Sequence, residues 1–445
     1  MIQALRNAWK LPDLKRRILF TMAILVVYRL GSYIFIPGVD QPALAEAWEK
    51  ISGNLGALKV VNVFSGGNFS QMTIFALGIQ PYISASIILQ LLQVVIPQLE
   101  QLAKEGPAGR RKINQYTRYG TIALSAFQSI GISLALSNPQ AFGLERPIVV
   151  NPGPLFYFIT MLTLAAGTTF VMWLGEQIEE YGIGQGISLI IFIGIVERMP
   201  SGVVHVVQYM TNPEVGGFGL IGVLAILGAT FAIIVGTIFI TLAERRIPIQ
   251  YAKRIVGRRM YGGQTQYLPL KVNMAGVMPI IFAVTIMQFP ATLMSLPLGV
   301  GVQQALSALF SPGPVYYTFY ALLIIFFTYF YTAVIINPVD VADNLKRAGG
   351  FIPGQRPGRN TAKYIDRTLS RVTLPGAIFL ALIAIVPFWF VDLISGDQLS
   401  LSGIGGTSIL IVVGVALDRM QWLDAQLRTH NYEGLLKGQK VRGRR

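Results

Sequence analysis

Residues 55–72, LGALKVVNVFSGGNFSQM, run directly into residues 72–97, MTIFALGIQPYISASIILQLLQVVIP. The second stretch reaches the length of about 20 apolar residues that a bilayer core demands. The first is moderately apolar, too short to cross, and carries Gly66–Gly67 just before the long run. It reads either as a half-helix folding back into the protein or as an interfacial helix on the outer leaflet. The first alternative requires an internal cavity, because irregular backbone at membrane depth survives only inside protein or beside water.

Outward from this pair, further apolar runs complete a set of ten candidate spans: 18–36, 72–97, 119–136, 154–174, 183–197, 219–243, 274–298, 315–337, 372–391 and 404–423. Of the 36 Lys and Arg residues, 31 fall in the N-terminal segment, in every second loop and from Arg419 to the C-terminus. Four fall in the intervening loops, and Arg29 lies well inside a span. Positive charge is retained on the cytoplasmic side, so both termini and loops 2, 4, 6 and 8 are expected there. A composition of 53% hydrophobic and 13% charged residues excludes an ordinary soluble domain of 445 residues. The net charge of +15 therefore belongs to one face, suited to anionic lipid, ribosomal RNA or an acidic protein surface.

Five spans precede the loop at 198–218 and five follow it. Five is odd, so the second set enters the membrane with the opposite orientation, the arithmetic of an inverted repeat. The expected organisation is an N-terminal half at 1–197, an external hinge loop at 198–218, a C-terminal half at 219–423 and a basic cytoplasmic tail at 424–445. The N-terminus resembles a secretory signal, with Lys15, Arg16 and Arg17 before an apolar run and Ala43-Leu44-Ala45 beyond it. That reading fails because the run exceeds a signal core of about 7 to 15 residues. Gly257, Gly262–Gly263, Gly349–Gly350 and Pro353–Gly354 punctuate loops 6 and 8 as ordered hairpins.

Little reactive chemistry is present. There is no cysteine, and His205 and His430 both lie outside the spans, so disulfides, thiolate metal sites and most imidazole chemistry are excluded. No Gly-rich run ends in Lys-Ser or Lys-Thr, and Gly182-Ile183-Gly184-Gln185-Gly186 reads as a tight turn rather than a phosphate loop. No paired aspartates occur within the spans, which argues against an intramembrane protease. Ion-coupled transport commonly leaves buried carboxylates, and the spans are poor in them, although carbonyl sites for sodium keep a secondary transporter as the alternative. Arg29 either serves a pore or pairs with an acidic neighbour; Glu176, Glu179 and Glu180 read as a solvated helix end.

An uncharged conduit remains. Ile79, Ile83, Ser86, Gln90 and Gln93, at offsets 0, 4, 7, 11 and 14, form one helical stripe passing from apolar to polar, and Ile187 and Ile191 repeat the apolar part. Such a stripe is either ordinary packing or an aliphatic constriction that blocks ions by dewetting while deforming around larger cargo.

The segments Phe64-Ser65-Gly66-Gly67 and Thr73–Ile79, followed by Pro81-Tyr82-Ile83-Ser84-Ala85-Ser86-Ile87-Ile88, resemble the first signature of the SecY family of bacterial protein-translocation channels. Met172-Trp173-Leu174-Gly175-Glu176-Gln177-Ile178 with Gly182–Ser188 is similar to the second, and the likeness extends through 104–121, 268–279, 337–358 and 405–413. Gln355, where the family usually has an aliphatic residue, and Tyr267, where histidine is common, are small departures. The resemblance implies an all-α membrane protein whose ten transmembrane helices form two inverted five-helix halves, a clamshell around an hourglass pore. It implies a pore ring of Ile79, Ile83, Ile187, Ile191, Ile281 and Ile411, and a plug near 58–72 that includes Leu58, Val61, Phe64, Gly66 and Gly67. It further implies a lateral gate between spans two and seven, near Ser84, Ser86 and Gln90. Docking residues would be Lys253, Arg254, Arg258, Arg259 and Arg356, contacting the ribosome and its RNA or the SecA ATPase. SecE, SecG, signal-sequence-bearing polypeptides and anionic lipids are the other implied partners, in the bacterial inner membrane. The resemblance implies a passive channel rather than an enzyme, with no cofactor or metal.

Overall fold

The computed structural model describes residues 9, 11–54, 62, 64–137, 146–211, 219–251, 254–256, 259–261, 265–294, 313–395 and 406–438. Its helices are α1 (Pro12–Gly31), α2 (Gln41–Asn54), α3 (Gln80–Val95), α4 (Pro97–Lys104), α5 (Pro107–Leu136), α6 (Pro154–Tyr181) and α7 (Gly186–Thr211). They continue as α8 (Gly219–Leu242), α9 (Met278–Met294), α10 (Pro314–Ile335), α11 (Pro338–Arg347), α12 (Arg359–Ser395) and α13 (Gly406–Gly438). Strands β1 (Glu244–Tyr251), β2 (Arg254–Val256), β3 (Arg259–Tyr261) and β4 (Thr265–Lys271) separate α8 from α9, and β5 (Gly350–Phe351) follows α11.

Proline sets many of the starts. Among the described residues, nine helices, α1, α2, α3, α4, α5, α6, α9, α10 and α11, carry Pro in their first turn, where its missing N–H costs no intrahelical bond. α11 adds a side-chain cap: the Asn337 Oδ1 accepts from the Val339 N–H at 3.0 Å.

Each of the ten apolar runs coincides with a helix. Four described helical stretches are long and apolar enough by themselves to cross a membrane, and a fifth results if α3 and α4, bent by 101° at Ile96, count as one. The second run departs from expectation at both ends. It is helical only from Gln80, and residues 65–79 form successive turns ahead of Pro81. At the other end Pro97, which cannot continue the ladder, starts α4 in a new direction. α7 also exceeds its predicted end at 197, continuing through Pro200 to Thr211, so much of the expected 198–218 loop is helix.

The largest apolar core draws on α1, α3, α6, α7, α9, α10, α12 and α13, and thus on both expected halves. A second core joins α2, α5 and α6 to the backbone around Met72, with Ile36, Leu44, Ala47 and Ile148 at its centre. Here the chain segment 34–40 is held from two sides: Ile36 N–H donates to Met72 O at 3.0 Å, Ile74 N–H to Ile34 O at 2.9 Å and Asp40 N–H to Ile148 O at 2.9 Å. Arg146 Nη2 donates to Asp40 Oδ2 at 2.7 Å.

The described parts of loops 6 and 8 form one structure rather than two, while Gly257 and Gly262–Gly263 lie outside the described residues. β1 pairs antiparallel with β4 from Glu244↔Lys271 to Gln250↔Thr265, and β5 adds to its other edge at Gln250↔Phe351. Ile247, Leu270, Ile352, Ile365 and Leu369 form a separate core beneath this sheet.

Candidate functional site

The six isoleucines Ile79, Ile83, Ile187, Ile191, Ile281 and Ile411 lie in a single buried cluster, none more than 8% exposed. They arrive from four places: the N-terminus of α3, the first turns of α7, the start of α9 and the start of α13. Local sequence explains the convergence. Gly175 and Gly186 let α6 and α7 close, since a Cβ on Gly186 would overlap the Gly175 carbonyl oxygen, and one on Gly175 would lie 3.3 Å from Ile187 Cγ1.

The stretch before α3 folds into the protein rather than onto its surface: Asn62, Ser65, Gly66 and Asn68 are buried. Leu58 and Val61 lie outside the described residues. Gly66 and Gly67 have φ of +68° and +88°, a left-handed conformation that favours glycine. Gly66 also meets α7 backbone to backbone, because a Cβ there would lie 2.9 Å from the Gly194 Cα. The fold-back is held by its own polar groups. Asn68 Nδ2 donates to Ser65 O at 2.6 Å and to the Tyr28 hydroxyl at 3.3 Å, Ser70 N–H donates to Asn62 Oδ1 at 2.9 Å, and Ser65 Oγ donates to Asn62 O at 3.2 Å. Trp48 of α2 packs edge-on against Phe69, with ring centroids 5.8 Å apart.

Arg29 has a structural partner. It pairs with Glu197 of α7 and lies 4.8 Å over the Tyr33 ring. Glu176 is not merely solvated, since Arg118 Nε donates to its Oε1 at 2.8 Å. Ser84, Ser86 and Gln90 are half-buried on α3, which packs against α9, and Gln90 Nε2 donates to Ser86 Oγ at 3.2 Å. Gln90 Oε1 is buried with no hydrogen-bond partner.

Of the basic docking residues, Arg356 is exposed at the turn after β5, where Thr361 Oγ1 donates to its carbonyl oxygen at 3.0 Å. Arg254 and Arg259 pair across the β2–β3 hairpin with Tyr261 and Val256 respectively. Lys253 and Arg258 lie outside the described residues. The sequence reading missed Tyr28, Asn68, Gly194 and Arg419, the last because it was grouped with the basic tail although it sits within α13. Their partners are distant in sequence, so spacing carries no signal of them. Among the described residues no group of three His, Asp or Glu could hold a metal ion.

Residues 73–420 match the SecY family model. The chain is 47% identical over 437 residues to the protein translocase subunit SecY of Escherichia coli strain K12, covering 97% of this chain and 96% of that one. Its fold is similar to that in a structure concerned with how the SecY plug domain stabilises the closed state of the translocation channel and maintains a membrane seal, with a TM-score of 0.63, 20% identity and coverage of 94% and 96%. It is also similar to Sec61 in the canine ribosome-channel complex from the endoplasmic reticulum, with a TM-score of 0.60, 17% identity and coverage of 94% and 96%. These matches are to protein-translocation channels rather than enzymes, and they do not support the ion-coupled transporter reading. The chain belongs to the SecY family of multi-pass membrane proteins, and what it conducts is protein.

Proposed function

We propose that the six buried isoleucines are the constriction of the channel and that residues 58–72 are its plug. The observation that carries this is that Ile79, Ile83, Ile187, Ile191, Ile281 and Ile411, from four helices, are all buried in one apolar cluster, to which α7 brings Ile191 and Ile195 on either side of the Gly194 that Gly66 touches. An aliphatic ring excludes ions because a bare ion cannot replace its hydration shell there, whereas a polypeptide can displace flexible side chains. Unfolded secretory chains need such a path, since unsatisfied backbone groups cost several kcal/mol each in hydrocarbon.

In this reading the ten helices form a clamshell of two inverted halves around an hourglass pore, with the division at 198–218. α3 and α9 border a lateral opening through which a signal sequence or transmembrane segment reaches lipid. Each central Leu or Ile favours that exit by about 0.3 to 0.6 kcal/mol, and each Asp, Lys or Arg opposes it by about 2.5 to 3.5 kcal/mol. Ser84, Ser86 and Gln90 tune how readily the seam parts.

The β4–β1–β5 sheet built from loops 6 and 8, together with the β2–β3 hairpin that lies between β1 and β4 in the chain, is the docking platform. Lys253, through its ammonium, and Arg254, Arg258, Arg259 and Arg356, through their guanidinium forks, pair with the phosphates of ribosomal RNA or with carboxylates of the SecA ATPase. The driving energy then comes from the partner, and SecE and SecG complete the complex. Both termini face the cytoplasm, against the anionic lipids of the bacterial inner membrane.

The absence of native cysteine supplies the test. Ile191→Cys is paired with a cysteine in the mature part of a stalled secretory chain, in membranes reconstituted with SecE and SecA. A disulfide at Ile191 and none at a lipid-facing control on α8 is the expected result; active translocation with no crosslink at Ile191 overturns the constriction.

A further inference from the structure

We infer that Arg419 of the C-terminal half clasps the 182–185 turn, which Arg17 and Thr21 fix on α1 within the N-terminal half, and so holds the two halves together here while the α3–α9 seam parts. The inference rests on the channel reading above. The turn follows α6, whose last carbonyls have no intrahelical partner. Just beyond that helix end, guanidinium groups from two other helices meet the turn's own carbonyls: Arg17 Nη1 of α1 donates to Gly182 O at 3.3 Å, and Arg419 Nη1 of α13 donates to Ile183 O at 3.1 Å. Between them, Ile183 N–H donates to Thr21 Oγ1 at 3.2 Å, and that hydroxyl donates to Arg17 O at 2.9 Å.

The turn is shaped to receive these groups. Gly184 has φ of +61°, and a Cβ on it would fall on the Arg419 Nη1. A Cβ on Gly182 would come within 2.5 Å of Thr21 Oγ1. Arg419 is partly buried, and among the described residues its buried Nε finds no hydrogen-bond partner, which leaves Nη1 as the guanidinium's bond to the turn. The level of α13 is fixed from the opposite side, where Lys271 Nζ of β4 donates to Gln421 Oε1 at 2.7 Å. One turn further along α13, Leu423 is buried against Leu14 of α1, flanked by Leu11, Ile18, Trp422 and Leu427.

The seam is built differently. Among the described residues no hydrogen bond or ion pair joins α3 to α9; the Gln90–Ser86 bond stays within α3. Charge-assisted bonds are stronger than neutral ones, and breaking them leaves desolvated groups behind. Separation at the clasp is therefore the costlier motion, and the seam is the edge that yields.

The test uses Leu14→Cys with Leu423→Cys in the full complex. Translocation by the oxidised pair should stay within twofold of that by the reduced pair, because the clasp does not need to open. A loss of more than tenfold that a reductant restores overturns the proposal. An independent readout needs no cargo: spin labels at the exposed positions Tyr181 and Asp424 bracket the clasp, and Arg419→Leu should broaden their distance distribution. An unchanged distribution overturns the clasp. If neither redox state translocates, the paired substitutions have damaged the channel itself, and the label distances decide the clasp.

Discussion

Ile191 is 1% exposed and sits within the largest core together with the five other ring isoleucines. If the ring opens to pass a chain, the contacts of Ile191 with its neighbours are lost in the open state. Burial contributes about 0.8 kcal/mol per methylene, and Ile→Ala removes three carbons, so the closed state loses about 2.4 kcal/mol relative to the open one. At about 1.4 kcal/mol per tenfold, that shifts the resting equilibrium toward the open state by about fifty-fold. Ile191→Val removes one carbon and should shift it by about fourfold. Ion conductance across planar bilayers reads this directly, because the resting leak is proportional to the open fraction when that fraction is small. Phe231→Ala on α8, where the ring is 69% exposed, removes more apolar surface and should leave the leak unchanged. A leak that ignores the Ile, Val, Ala series, or that rises equally for Phe231→Ala, refutes the argument that these contacts form the seal.

Tyr28→Phe removes the hydroxyl that accepts from Asn68, a loss of about 1 kcal/mol, and should speed modification of a cysteine at Phe64 by an impermeant maleimide about fivefold. Arg356→Glu should leave membrane insertion unchanged and abolish translocation, because Arg356 is exposed and, among the described residues, its side chain forms no hydrogen bond or ion pair that the change would break; unchanged transport in a reconstituted assay counts against the docking surface. Gly167→Ala should lower the thermal unfolding midpoint and the yield of folded protein: its Cβ would overlap the Ile74 carbonyl oxygen, backbone that cannot swing aside, at a cost of about 1 to 3 kcal/mol or more.

The helices were legible in the sequence because the bilayer imposes a length and a polarity that few other solvents do. The start of α3 was not. Residues 73–79 are as apolar as the helix that follows, and what keeps them out of it is the bonding of the Met72–Ile74 backbone to Ile34 and Ile36, a partner nearly forty residues away. Ile79 with Ile83 and Ile187 with Ile191 were visible as helical stripes, but nothing local marks Ile281 or Ile411 among their aliphatic neighbours. Only the resemblance to a family sets them apart, since the cluster that holds them also holds other isoleucines such as Ile190, Ile280 and Ile324. Arg419 shows the opposite failure. A count of positive charges assigned it to the cytoplasmic tail, and the count cannot tell a solvated arginine from one whose Nη1 is fixed on a carbonyl 236 positions away.

The contrast between ring and clasp bears on how a channel can be tight at rest and still admit a chain. Parting an aliphatic ring leaves no unpaired donor or acceptor, so its cost grows with the area exposed and is partly returned as the passing chain refills the space. A ring of ion pairs would behave otherwise, since each partner left behind in a low-dielectric site carries an uncompensated charge. The polar contacts described here are placed off the ring: Tyr28–Asn68 on the fold-back, Arg29–Glu197 between α1 and α7, and Arg17 and Arg419 on the turn. In the proposed mechanism they fix the frame, and the isoleucines alone are left to move.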